Sequence, residues 1–243
     1  MKRRATYTFL LIAVLFLGGN VRLSAQNQFH MAQYMLHQPF INPGALGSYD
    51  QLTVAVFNKT QWVKFEGAPR IAGLTISSPI GAKKKSHLGL NVLYDKIGID
   101  QTTEIGLNYS YRIKTGLHSH LALGIAGSIN LVQSDFSQVN TTDAGDPMFA
   151  SNSPTYVLPN AKFGAYYFKR KWYIGFAMPQ LLQNKITASG TSYSGGTNFN
   201  GTNLHYYLHA GYLYKINDNF DLNLSTLIKE TTASQCSLTS TRR

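Results

Sequence analysis

From residue 51 onward the chain repeats one pattern: segments of about ten residues in which apolar and polar side chains alternate, separated by turns that are short and long by turns. Nothing else constrains the fold as tightly. A strict period of two puts all the apolar side chains of a segment on one side of a pleated sheet. In residues 103–114, Ile105, Leu107, Tyr109, Tyr111 and Ile113 share one face, and Glu104, Gly106, Asn108, Ser110 and Arg112 share the other. One face suits hydrocarbon and the other suits water. The pattern predicts an all-β fold: a transmembrane antiparallel β-barrel of the outer-membrane type, spanning residues 51–234.

Nine strand-like segments fall near 51–62, 69–79, 86–96, 101–114, 118–134, 159–169, 171–179, 204–215 and 219–230. Leu121, Leu123, Ile125, Gly127, Ile129 and Leu131 line one face of the fifth, with Gly124, Ser128 and Asn130 opposite. Tyr206, Leu208, Ala210, Tyr212 and Tyr214 do the same in the eighth, and Phe220, Leu222, Leu224, Thr226 and Ile228 in the ninth. The links at 81–85, 115–117, 169–171 and 215–219 are tight, whereas 135–158 and 180–203 are long and rich in Ser, Thr, Asn and Gly. Short periplasmic turns and long external loops are the barrel rule; a soluble sandwich has no reason to sort its loops by side.

Residues 1–25 read as a cleavable signal peptide, with Lys2, Arg3 and Arg4 ahead of an apolar run from Phe9 to Leu17 and Leu23-Ser24-Ala25 as the cleavage site. The run is short for a membrane-anchoring helix. The formal charge of +11 invites a nucleic-acid partner, but four cations lie in the leader and two in the tail, which leaves +5 for the rest. Fifteen Tyr and thirteen Phe against two Trp, with 21 Gly, fit sheets and aromatic girdles. Cys236 is the only cysteine, so the chain has no internal disulfide, which favours a Gram-negative envelope over a disulfide-stapled secreted scaffold.

Residues 26–50 form an irregular periplasmic arm, interrupted by Pro39 and Pro43 and closed by Gly44 and Gly47. It contains Gln33-Tyr34-Met35 and Ile41-Asn42-Pro43-Gly44. In order after it come Gln61-Trp62, Gly67-Ala68-Pro69, Asp95-Lys96 between Gly89 and Gly98, Asp146-Pro147-Met148-Phe149, Pro159-Asn160, Gly164, Gly175 and Pro179-Gln180-Leu181-Leu182. This series resembles the PorP/SprF family of outer-membrane proteins of the type IX secretion system in Bacteroidota. The resemblance implies a barrel of about fourteen strands, without catalysis or cofactor, that supports secretion or surface anchoring of adhesins and other cargo and takes part in gliding. It also implies partners among the periplasmic and outer-membrane secretion components, with Gln33, Tyr34, Asn42, Pro43, Asp146, Pro147 and Phe149 as contact candidates.

The nine segments fall short of that count, and residues 235–243 alternate nowhere. Codons for Gln235 to Thr241 can be chosen so that a frame displaced by one base encodes Pro-Val-Gln-Phe-Asp-Leu-Asn, an alternating segment. The expectation is an incomplete barrel with an aberrant, frameshifted tail. Resequencing the gene ahead of the codon for Gln235 tests it: an extra base restoring the second frame is the expected result, and an unchanged frame with nothing strand-like downstream refutes it.

Other constellations carry less chemistry. Gly81-Ala82-Lys83-Lys84-Lys85-Ser86 lacks the second glycine and the following helix of a phosphate-binding loop. Lys83, Lys84, Lys85, Lys169, Arg170 and Lys171 form basic periplasmic turns, either solvated and blocking edge aggregation or a docking rim for an acidic partner. His118 with His120, and His205 with His209, share strand faces without an obvious third metal ligand. No G-x-S-x-G elbow occurs, and Glu104, Asp143 and Asp146 have no partner at a catalytic separation. The segment around Asp146-Pro147-Met148-Phe149 reads as a loop folded over the barrel mouth, and Trp62 and Trp172 as girdle residues. The expected function is a noncatalytic secretion component that contacts outer-membrane lipid; a general diffusion porin is the alternative.

Overall fold

A computed structural model describes residues 34–136, 153–189, 192–198, 204–218 and 220–231. Nine strands build one antiparallel sheet: β1 (Thr53–Thr60), β2 (Arg70–Ile80), β3 (Ser86–Ile97), β4 (Asp100–Lys114), β5 (His120–Ser134), β6 (Tyr156–Phe168), β7 (Trp172–Met178), β10 (His205–Lys215) and β11 (Asp221–Thr231). They follow one another as a meander, and the sheet curls into a half-barrel. Among the described residues no helix is long and apolar enough to cross a membrane. Strands closed into a barrel are the other way to satisfy a backbone within hydrocarbon, and among the described residues β1 and β11 are the two edges of this sheet.

Burial runs opposite to that of a soluble sheet. On β4 the apolar side chains Ile105, Leu107, Tyr109, Tyr111 and Ile113 are exposed, while Asn108 and Ser110 are buried. Register extends both faces: Leu107 lies opposite Gly127, which lies opposite Ala161, on the convex side, and Asn108 aligns with Ala126 and Lys162 on the concave side. The convex face is therefore apolar across β2 to β7, as lipid requires, and the concave face carries Thr75, Ser77, Asn91, Asn108, Ser128 and Asn160.

Two features depart from the sequence reading. Residues 180–203, read as one long loop, contain a separate hairpin of β8 (Gln183–Ser189) and β9 (Ser192–Asn198), paired Gln183 to Asn198. β9 is almost entirely Ser, Gly, Thr and Asn, and β8 has only Ile186 and Ala188 as apolar residues, too short an alternation to announce a strand. β6 also begins at Tyr156, ahead of the expected start, and runs through Pro159, which sits opposite Ile129.

The arm is the second layer. Three short 3-10 turns, Tyr34–Leu36, Gln38–Phe40 and Pro43–Ser48, lie against the concave face, where Phe40, Ala45 and Leu46 are almost wholly buried. Tyr34, Phe40 and Ile41 pack with Ile71, Leu93, Ala177 and Tyr207. Ala45 packs with Ala122 and Tyr166. These contacts are the apolar core of a sheet whose other face belongs to lipid.

The inverted burial generates a test. Leu107→Arg at mid-strand on the convex face should cost about 2–4 kcal/mol in the bilayer, read as a shift in denaturant unfolding of the chain folded into vesicles. A change below 0.5 kcal/mol, roughly the scale of neutral surface substitutions, would mean that this face does not meet lipid.

Candidate functional site

Ile41-Asn42-Pro43-Gly44 builds the centre of the arm's seat. Pro43 opens the third 3-10 turn with a preset φ, and Asn42 caps it by accepting from the Gly44 N–H at 2.8 Å. The same side chain points its amide nitrogen into the sheet. Nδ2 lies 3.1 Å from the Ala165 carbonyl, 3.2 Å from the Phe176 carbonyl and 2.9 Å from His209 Nε2. Two protons thus serve three acceptors on β6, β7 and β10. For His209 to accept at Nε2 its own proton sits on Nδ1.

The wall has no side chains where the arm comes closest. A Cβ on Gly164 would strike Asn42 Oδ1, one on Gly124 the backbone of Pro43 and Gly44, one on Gly175 the His209 ring, and one on Gly89 the Leu46 side chain. These glycines come from four different strands. Gly124 admits the arm's backbone, Gly164 and Gly89 admit its Asn42 and Leu46 side chains, and Gly175 leaves room for the His209 ring that Asn42 meets.

Polar ties fix both ends of the arm. Toward the loop rim, Asn91 Nδ2 donates to the Pro39 carbonyl at 3.2 Å, and His37 rests on Phe57 with ring centroids 4.6 Å apart. Toward the turn rim, Ser110 donates to the Gly44 carbonyl at 3.3 Å, His87 Nε2 lies 3.0 Å from the Tyr49 carbonyl, and Arg112 pairs with Asp50 at 2.7 Å. Arg112 also donates to the Lys84 carbonyl, and Lys84 Nζ to the Asp50 carbonyl, both at 2.9 Å. The first basic turn is thereby fastened to the arm. Burial pushes His37 below its ordinary value near 6.5, so the docked arm resists a proton that a released arm would accept. Docking weakens as pH falls through about 6.5.

Of the residues expected to meet partners, Tyr34, Asn42 and Pro43 are buried against the sheet, while Gln33, Asp146, Pro147 and Phe149 lie outside the described residues, as does Asp143. Lys83, Lys84, Lys85, Lys169, Arg170 and Lys171 are all exposed and stand on one rim, since turns β2–β3 and β6–β7 close the same end of the meander. Lys114 and Lys215 end strands on that rim, and Lys169 Nζ lies 5.4 Å from the Trp172 ring centroid. The opposite rim carries the links from β1 to β2, β3 to β4, β5 to β6 and β7 to β10.

His209 and His87 are buried beside the arm, and His205 Nδ1 lies 2.9 Å from Thr231 Oγ1. Among the described residues no cluster of His, Cys, Asp and Glu could hold a metal ion. Glu104, which had no evident partner in the sequence, pairs with Lys162 on the concave wall. Both sit at inward positions of strands flanking β5, which alternation alone shows, but register sets Glu104 level with Leu158 and Lys162 level with Asn108, so only the curl of the sheet and the reach of the lysine bring them together. His209 was likewise invisible as the third acceptor for Asn42.

Replacing Asn42 tests the seat. Asn42→Ala should loosen the arm by about 1–3 kcal/mol, and Asn42→Asp by more, because a carboxylate would face two carbonyl oxygens with no proton to give. Protease susceptibility of residues 34–50 in the folded, inserted protein reads both. Equal protection in wild type and Asn42→Asp would show that the amide does not hold the arm.

No curated protein matches the chain closely enough to serve as a relative. Residues 23–240 match the family described as type IX secretion system membrane protein PorP/SprF. With an all-β half-barrel that is apolar outside, polar inside and seated on its Asn-Pro-Gly arm, the chain belongs to the PorP/SprF family of type IX secretion membrane proteins.

Proposed function

We propose that this protein is a noncatalytic outer-membrane component of the type IX secretion and gliding machinery, exported by the signal peptide of residues 1–25 and working as a scaffold rather than a pore. The observation that carries this reading is the arm: residues 34–48 fill the concave side that a diffusion porin would keep open to water. The family match supplies the system, and the seat explains a rigid platform within it.

Periplasmic secretion components meet the basic turns, whose cations outnumber the acids Asp50, Asp218 and Asp221 at the same rim. The cation-rich rim favours a partner with an acidic face. Asn42 and Pro43 serve such partners indirectly, by fixing the arm that holds Lys84 and Arg112 in place. Asp146, Pro147 and Phe149 are the loop-side contacts for adhesin-like cargo.

Two measurements test this. In planar bilayers the inserted protein should pass no steady current; sustained conductance that depends on solute size would make it a porin. In cells, reversing Lys83, Lys85, Lys169 and Lys171 to Glu should abolish cargo secretion while the barrel remains in the outer membrane, whereas full secretion would remove the basic rim from partner binding.

A further inference from the structure

The loop rim carries a second basic feature that the secretion role does not use. Arg70 on β2 stands directly opposite Lys96 on β3. Both belong to the convex face, in line with Ala72 and Leu74 on one strand and Tyr94 and Val92 on the other. Like charges directly across strands destabilise a sheet unless an anion lies between them. None does among the described residues, where the ion pairs are Arg112–Asp50, Lys162–Glu104 and Lys215–Asp218. The nearest acid in the strand ladder, Asp95, shares a concave row with Lys59, on the other side of the sheet.

The height of the pair along the strands indicates its ligand. Register places Thr60, Arg70, Lys96, Gln101 and Gln133 in one row across β1 to β5. The next row toward mid-strand reads Asn58, Ala72, Tyr94, Thr103, Leu131, a mixed row, and the one after it is wholly apolar: Val56, Leu74, Val92, Ile105, Ile129. A row of hydrogen-bonding side chains thus crowns the apolar band where headgroups meet acyl chains. Above it, the loop from β1 to β2 exposes Trp62, Lys64 and Phe65. Trp62 (φ 51°) and Lys64 (φ 79°) adopt left-handed backbone that non-glycine residues rarely occupy, and Gly98 N donates to the Gly67 carbonyl at 2.9 Å, tying the loop down over the row. An indole and an ammonium at this level are interfacial groups.

We propose that Arg70 and Lys96, with Lys64 above them, bind the phosphate of a phosphorylated glycolipid headgroup in the leaflet at the loop rim. Gln101 and Gln133 offer hydrogen bonds to its sugar hydroxyls. The site rests on the outer-membrane reading, since an aqueous protein would present this face to no lipid. Phosphate between the two cations removes the cross-strand repulsion and gains charge-assisted hydrogen bonds.

Lipid retention by the full chain tests the site. The protein, in mild detergent, is incubated with lipid A in phosphorylated or dephosphorylated form and read by native mass spectrometry. Wild type should prefer the phosphorylated lipid by about tenfold or more. R70Q/K96Q should abolish the preference, and K169Q/K171Q at the other rim should keep it. Equal retention of both lipids, or a preference that survives R70Q/K96Q, overturns the site. A chain that never inserts into bilayers overturns the outer-membrane reading and the site with it, whereas an inserted chain without preference removes the site alone.

Discussion

A backbone inside hydrocarbon has no water to bond, so each N–H and C=O must find a partner in the protein itself. That demand shapes most of what this structure does. It selects strands paired side to side over irregular chain, keeps the nine-strand meander in unbroken neighbour order, and hands the convex face to apolar side chains. Polar side chains are left with the concave face, where burying them without partners would be costly.

The arm resolves part of that cost. A sheet that spends its apolar residues on lipid has few left for an inner core, and the arm supplies Phe40, Ile41, Ala45 and Leu46 from outside the strand pattern. Its polar groups meet the wall through single well-placed side chains: Asn42 toward β6, β7 and β10, Asn91 toward Pro39, Ser110 toward Gly44. Glycines at the closest approaches make room for the arm's backbone and side chains. The outcome is a concave face occupied by residues 34–48 of the same chain, fastened through Arg112, Asp50 and Lys84 to the basic rim.

Much of the architecture was legible beforehand, for a reason visible in β4. Ile105, Leu107, Tyr109, Tyr111 and Ile113 state their face by period alone, and the tight turns state which end they close. β8 and β9 were not legible, because two seven-residue strands with few apolar residues between them leave almost no periodic trace. The site divides in the same way. Exposed cations in short turns could be read directly, whereas the burial of Tyr34, Asn42 and Pro43 could not, since a short aperiodic arm looks the same whether its apolar residues meet a partner or the inside of its own sheet.

The sequence by itself determined fold class, strand order, the lipid-facing set and the sorting of turns from loops, because alternation and turn chemistry act over a few neighbouring residues. The tertiary structure decided everything that joins distant positions: Asn42 beneath His209, Lys162 beside Glu104, Arg70 facing Lys96. Such pairs depend on how the strands register and how the sheet curls, and both are properties of the whole sheet that no single segment contains.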